Sequence, residues 1–82
     1  MSKVRNSAVV ECWEKGQPAV NHEGTLHTTG KELYSYALLI GDTTDNGTKV
    51  LKDYTARGKH GFQSQTTSCH VGLARLAADL ID

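Results

Sequence analysis

The chain has 82 residues, 38% of them apolar, with one Trp, one Phe and three Tyr. That length excludes multi-domain cleft enzymes and predicts one small domain over residues 1–82, which the element pattern below makes α+β, with a thin core open to help from self-association. Nine Lys plus Arg balance nine Asp plus Glu, which excludes a broadly basic, non-specific nucleic-acid binder.

The residues around Ser7–Trp13 lack the apolar stretch a secretory signal needs, and no run approaches a bilayer span. The expectation is a cytoplasmic protein without a membrane partner. Cys12 and Cys69 lie 57 positions apart, a spacing that predicts reduced, partly buried thiols.

In chain order, Ser7–Trp13 is rich in β-branched and aromatic residues before a turn cluster at Glu14–Pro18, which predicts a first strand. Residues 18–30 are polar and predict at most a short edge strand. Glu32–Ile40 alternates with apolar residues on both faces and predicts one central strand, with Tyr34 and Tyr36 as core or sheet-face residues. Asn46-Gly47 favours positive φ and predicts a hairpin reversal, with Lys49–Tyr54 returning as its partner strand. Phe62–Thr66 predicts one more short strand. Thr67 or Ser68 can cap a helix over about Cys69–Ile81, where Leu73, Leu76, Ala77 and Leu80 recur at helical spacing. The expected fold is an antiparallel meander of about four strands with one C-terminal amphipathic helix packed on it.

Leu33-Tyr34-Ser35-Tyr36, the apolar strand and glycine-containing hairpin after it, and Gln65-Thr66-Thr67-Ser68-Cys69-His70 opening the last helix resemble a family of small, functionally uncharacterised bacteriophage proteins. The resemblance covers roughly residues 33 to 78. It departs from the family pattern at Ala37-Leu38-Leu39, where members often place a polar residue and a proline. It carries no catalytic residue over. It implies a phage accessory protein made in the cytoplasm of an infected bacterium.

Zero net charge is an average over unlike parts. The stretch 49–62 holds four Lys or Arg against one Asp, while residues 1–48 sum to −2 and residues 63–82 to −1. Lys49, Lys52, Arg57 and Lys59, interleaved with Tyr54, Phe62 and His60, are candidates to grip phosphates and stack on bases. Ser68 and His70 at the helix start would add donors for an anion. The ordinary account of the same lysines is a solvated hairpin edge guarded against aggregation.

Cys69-His70 with Cys12, His22 and His27 raises a metal reading, but no Cys-x-x-Cys or His-x3-His spacing accompanies them. Hence no metal or cofactor is expected, and the plain account is that Cys69 packs while His70 bonds to cap or sheet. No acid, base and nucleophile converge in the sequence. The favoured expectation is a non-catalytic phage protein that binds and inhibits or redirects a host protein, as a CRISPR inhibitor would, and that is able to form a homodimer. The alternative is a nucleotide or nucleic-acid binding module built on 49–62.

Overall fold

Ser7–Trp13 folds as a helix, not as the strand its β-branched content predicts. In the computed structural model, which describes residues 3–55, 58, 61 and 63–81, helix α1 spans Asn6–Lys15. Val9, Val10 and Trp13 stand at i, i+1 and i+4, so a helix turns all three to one buried face. A strand would send Val9 and Val10 to opposite sides. Gly16 ends the helix at φ 76°. Its N–H donates to Trp13 O at 3.1 Å and the Gln17 N–H to Cys12 O at 2.7 Å, the bond pair of a Schellman stop.

Strand β1 (Lys3–Val4) precedes α1, and β2 (Ala19–Asn21) follows it, parallel to β1. Strands β3 (Leu26–Thr28), β4 (Leu33–Ser35), β5 (Leu38–Thr43) and β6 (Lys49–Leu51) then run antiparallel to one another. Helix α2 (Gln65–Ala74) leads to β7 (Leu80–Ile81), parallel to β6. The strands form one seven-stranded sheet in chain order. The α+β class and the antiparallel centre agree with expectation; the ends do not, because each is a parallel pair joined by a helical crossover. Both crossovers start from strands of the same direction and move the same way along the sheet. With the same hand they place both helices on one face, and α1 touches α2 there. The molecule measures 32 × 31 × 19 Å, and the short axis fits one sheet and one helix layer.

Residues 18–30 supply β2 and β3 inside the sheet, not a loose edge. Buried Asn21 organises the turn between them. Its Nδ2 donates to Asn6 Oδ1 at 2.7 Å and Thr25 Oγ1 at 3.0 Å, and its Oδ1 accepts the N–H of Thr25 at 2.8 Å and of Leu26 at 3.2 Å. All four bonding positions of the amide are therefore used.

The predicted single strand Glu32–Ile40 is two strands. The chain reverses at Tyr36–Ala37, pairing Ser35 with Leu38 and Tyr34 with Leu39. Tyr36 sits at φ 56°, costing roughly 1–2 kcal/mol for a non-glycine residue, and its N–H donates to Thr25 O at 2.7 Å. A bulge then pairs Leu33 with Gly41 and turns Ile40 into the core. The inner sheet residues Ala19, Leu26, Leu33, Ile40 and Leu51 pack with Val9, Val10, Trp13, Val71 and Ala74. A Cβ at Gly41 would stand 2.8 Å from Trp13 Cζ2, so the indole takes the space a side chain would need. Across the sheet His27 and Tyr34 stack at 5.0 Å.

The Asn46-Gly47 reversal forms as its chemistry predicts, with Gly47 at φ 87°, though the returning strand stops at Leu51. Of the predicted strand Phe62–Thr66, Phe62 lies outside the described residues, and Gln65 and Thr66 already belong to α2. The cap is Ser64, whose Oγ accepts the Thr67 N–H at 3.1 Å, so α2 starts and ends earlier than the Cys69–Ile81 pattern suggests. Lys49 N–H donates to Asp79 Oδ2 at 2.9 Å and Asp79 N–H to Lys49 O at 2.8 Å. This exchange draws Leu80 and Ile81 off the helical path and onto β6.

Candidate functional site

Lys49 does not belong to an anion-binding surface. It faces Thr43 across β5 and β6 on the inner side of the sheet and is only 6% exposed. Its Nζ donates to Thr43 Oγ1 at 2.8 Å and Gly30 O at 3.3 Å, and lies 5.4 Å from the Trp13 ring centroid. Burial holds its pKa below the ordinary lysine value, against the pull of Asp79 and Glu14. The expectation that it grips phosphate is corrected by the β6 register, which turns it inward.

Lys52 and Tyr54 leave β6 half-buried; the Lys52 N–H donates to Ile40 O at 2.7 Å, and Tyr54 packs on the core. Between them Asp53 accepts from Thr55 Oγ1 at 2.5 Å, Thr55 N–H at 3.1 Å and Arg75 at 2.6 Å. The Thr55 hydroxyl first, and Arg75 with it, hold the carboxyl below its ordinary range despite burial. This pins the start of the basic segment to the end of α2. Arg57, Lys59 and His60 lie outside the described residues. Ser68 is half-buried in α2, its N–H bonded to Ser64 O at 2.9 Å; it is not the cap.

His70 is inside the fold. Its Nδ1 lies 2.7 Å from Ser35 Oγ, which lies 3.0 Å from Thr67 Oγ1, which in turn meets Ser64 Oγ at 3.1 Å. A serine hydroxyl against an imidazole is the contact of a nucleophile and its base. Here Ser35 is 0% and His70 3% exposed, so no substrate reaches the hydroxyl. The pair fastens α2 to β4, in line with the expected bond from His70 to cap or sheet. Burial lowers the His70 pKa, opposed by Glu23. Cys69, expected to pack, is exposed, and Cys12 is half-buried; both are free thiols. Among the described residues no group of His, Cys, Asp or Glu is arranged to hold a metal ion, and no helix is long and apolar enough to cross a membrane.

A cleft of about 150 Å³ lies elsewhere, between α1 and the end of α2. Ser7, Val10, Glu11 and Glu14 of α1 form one wall, with Leu73 of α2 and, in the turn that follows it, Leu76 and Ala77 opposite. The α1 residues follow the i, i+3, i+4, i+7 stripe of a single helix face. Val10 and Leu73 supply buried and half-buried apolar floor, while Leu76 stands 87% exposed. Sequence reasoning missed this site because it read Ser7–Trp13 as a strand, which puts Ser7 and Val10 on opposite faces. A helical reading of residues 6–15 would have found the stripe, although not its partner Leu76. No protein-family model, curated protein or solved structure matches the chain.

Proposed function

We propose that this chain is a non-catalytic binding protein that inhibits or redirects a host protein in the cytoplasm of a phage-infected bacterium, docking it on the cleft between α1 and α2. The observation that carries the reading is Leu76, 87% exposed at the rim of an apolar cleft. A large exposed apolar side chain beside an open pocket is the kind of feature partners cover, and central pockets of this sort supply most of the binding energy at protein interfaces. The phage setting rests on the Ser-Tyr strand, hairpin and Thr-Thr-Ser-x-His resemblance. Inhibition of a defence effector such as a CRISPR nuclease is one specific form of this role. The sealed Ser35–His70 pair supports a role without catalysis. A nucleotide or nucleic-acid role for the 49–62 segment has less support, since Lys49 is committed to Thr43 and Gly30.

Tagged chain expressed in the infected host tests the reading. Wild type and Lys52→Ala should retain the same stoichiometric host protein, and Leu76→Asp should lose it. Retention by Leu76→Asp together with loss by Lys52→Ala would move the function to the basic segment.

A further inference from the structure

We infer that the segment seated in this cleft is cationic: an apolar side chain flanked by lysine or arginine, carried by a protein other than a second copy of this chain. The inference rests on the reading of the cleft as the docking surface and names the chemistry of its occupant. A cavity near 150 Å³ is large enough for a benzene-sized group, so one leucine, methionine or phenylalanine side chain suits the floor made by Val10, Leu73 and Ala77. Two carboxylates, Glu11 and Glu14, stand on the α1 wall one helical turn apart. Both are exposed, and neither makes a hydrogen bond or ion pair among the described residues. The Glu14 charge is felt by Lys49, but that ammonium is held inside by Thr43 and Gly30.

An occupant with neutral or acidic flanks would strip water from these carboxylates without replacing it by a countercharge, which opposes binding. A lysine or arginine beside the apolar anchor removes that penalty and aids encounter. A second copy offers an apolar anchor of its own, the exposed Leu76. The cation beside it is Arg75, however, and its guanidinium is held by Asp53 at 2.6 Å. That pairing already offsets the charge Arg75 would bring to a second copy's carboxylates, so a foreign segment with an uncommitted cation is the better complement.

The test uses the whole chain, isotope-labelled, with two synthetic helical peptides that share one leucine stripe, one flanked by arginines and the other by glutamates. Amide shifts of Ser7, Glu11, Leu73 and Leu76 are followed by NMR during titration. The arginine peptide should bind about tenfold tighter, and Glu11→Gln with Glu14→Gln should erase the preference while leaving the spectrum folded. Equal affinities would overturn the charge selection yet leave the cleft as a docking surface. Shifts at the cleft from neither peptide would overturn the docking surface itself. Sedimentation showing a dimer that Leu76→Asp turns into a monomer would assign the cleft to a second copy and overturn the inference.

Discussion

The two helices cover the same face of the sheet but are attached to it by different chemistry. Helix α1 buries Val9, Val10 and Trp13; its polar ties are the indole N–H donated to Lys31 O at 3.1 Å and, at its first residue, Asn6 Oδ1 accepting from Asn21 Nδ2 at 2.7 Å. Helix α2 buries Thr67, His70, Val71 and Ala74, and its polar half is tied to β4 through Ser35. Apolar contact is insensitive to protonation and forgiving in direction. A run of hydroxyls ending on an imidazole holds only while each member keeps its partner, and leaving one unpaired inside costs its desolvation. The cleft lies between α1 on one side and, on the other, α2 with the turn after it, the α2 wall being the one whose attachment includes a buried imidazole as well as Val71 and Ala74.

The largest loss should come from the α1 side. Trp13→Ala empties a fully buried indole site and should cost about 3–5 kcal/mol in urea unfolding. Ser35→Ala removes the atom that joins His70 to Thr67 and should cost about 1–3 kcal/mol. The comparison breaks if Ser35→Ala proves as damaging as Trp13→Ala. It sharpens if Ser35→Ala broadens the NMR signals of Leu73 and Leu76 while those of Val10 stay sharp, since only the α2 wall would then be loosened.

Legibility in the sequence followed the same division between local and distant causes. The Asn46-Gly47 reversal was readable because the φ of Gly47 is a property of the residues in the turn. The Tyr36–Ala37 reversal was not: it has no Gly, Asn or Pro, and a bond to Thr25 from another turn accompanies it. Val9-Val10 favours strands by propensity, and only the sheet onto which α1 packs makes their shared helical face decisive. Leu80 and Ile81 continue a helical apolar pattern, yet the exchange between Asp79 and Lys49 diverts them into β7. Lys49 read as a surface cation because charge is visible in a sequence and strand register is not. The cleft was hidden for a related reason. Its walls come from two ends of the chain, and neither wall is unusual by itself.

Acid gives the smallest and most selective test of the comparison. Burial sets the folded pKa of His70 below its ordinary 6.5, with Glu23 only partly restoring it. Between that lowered value and about 6.5 the unfolded chain therefore binds more protons than the folded one, so stability rises with pH in this window. The contribution is whole above the unfolded pKa and declines as pH falls toward the folded pKa, with a slope of at most about 1.4 kcal/mol per pH unit. Urea unfolding between about pH 7.5 and 5.5 should show the stability gap between wild type and His70→Gln shrinking as the solution is acidified, because only the wild type must charge a buried imidazole. The gap between wild type and Trp13→Ala should change less over the same range, since both proteins carry His70 and the titrating group against the Trp13 ring is an ammonium, Lys49, whose ordinary pKa lies far above this window. A His70→Gln gap that held constant would mean that the imidazole titrates alike in the folded and unfolded chains, and α2 would then be no more sensitive to acid than α1.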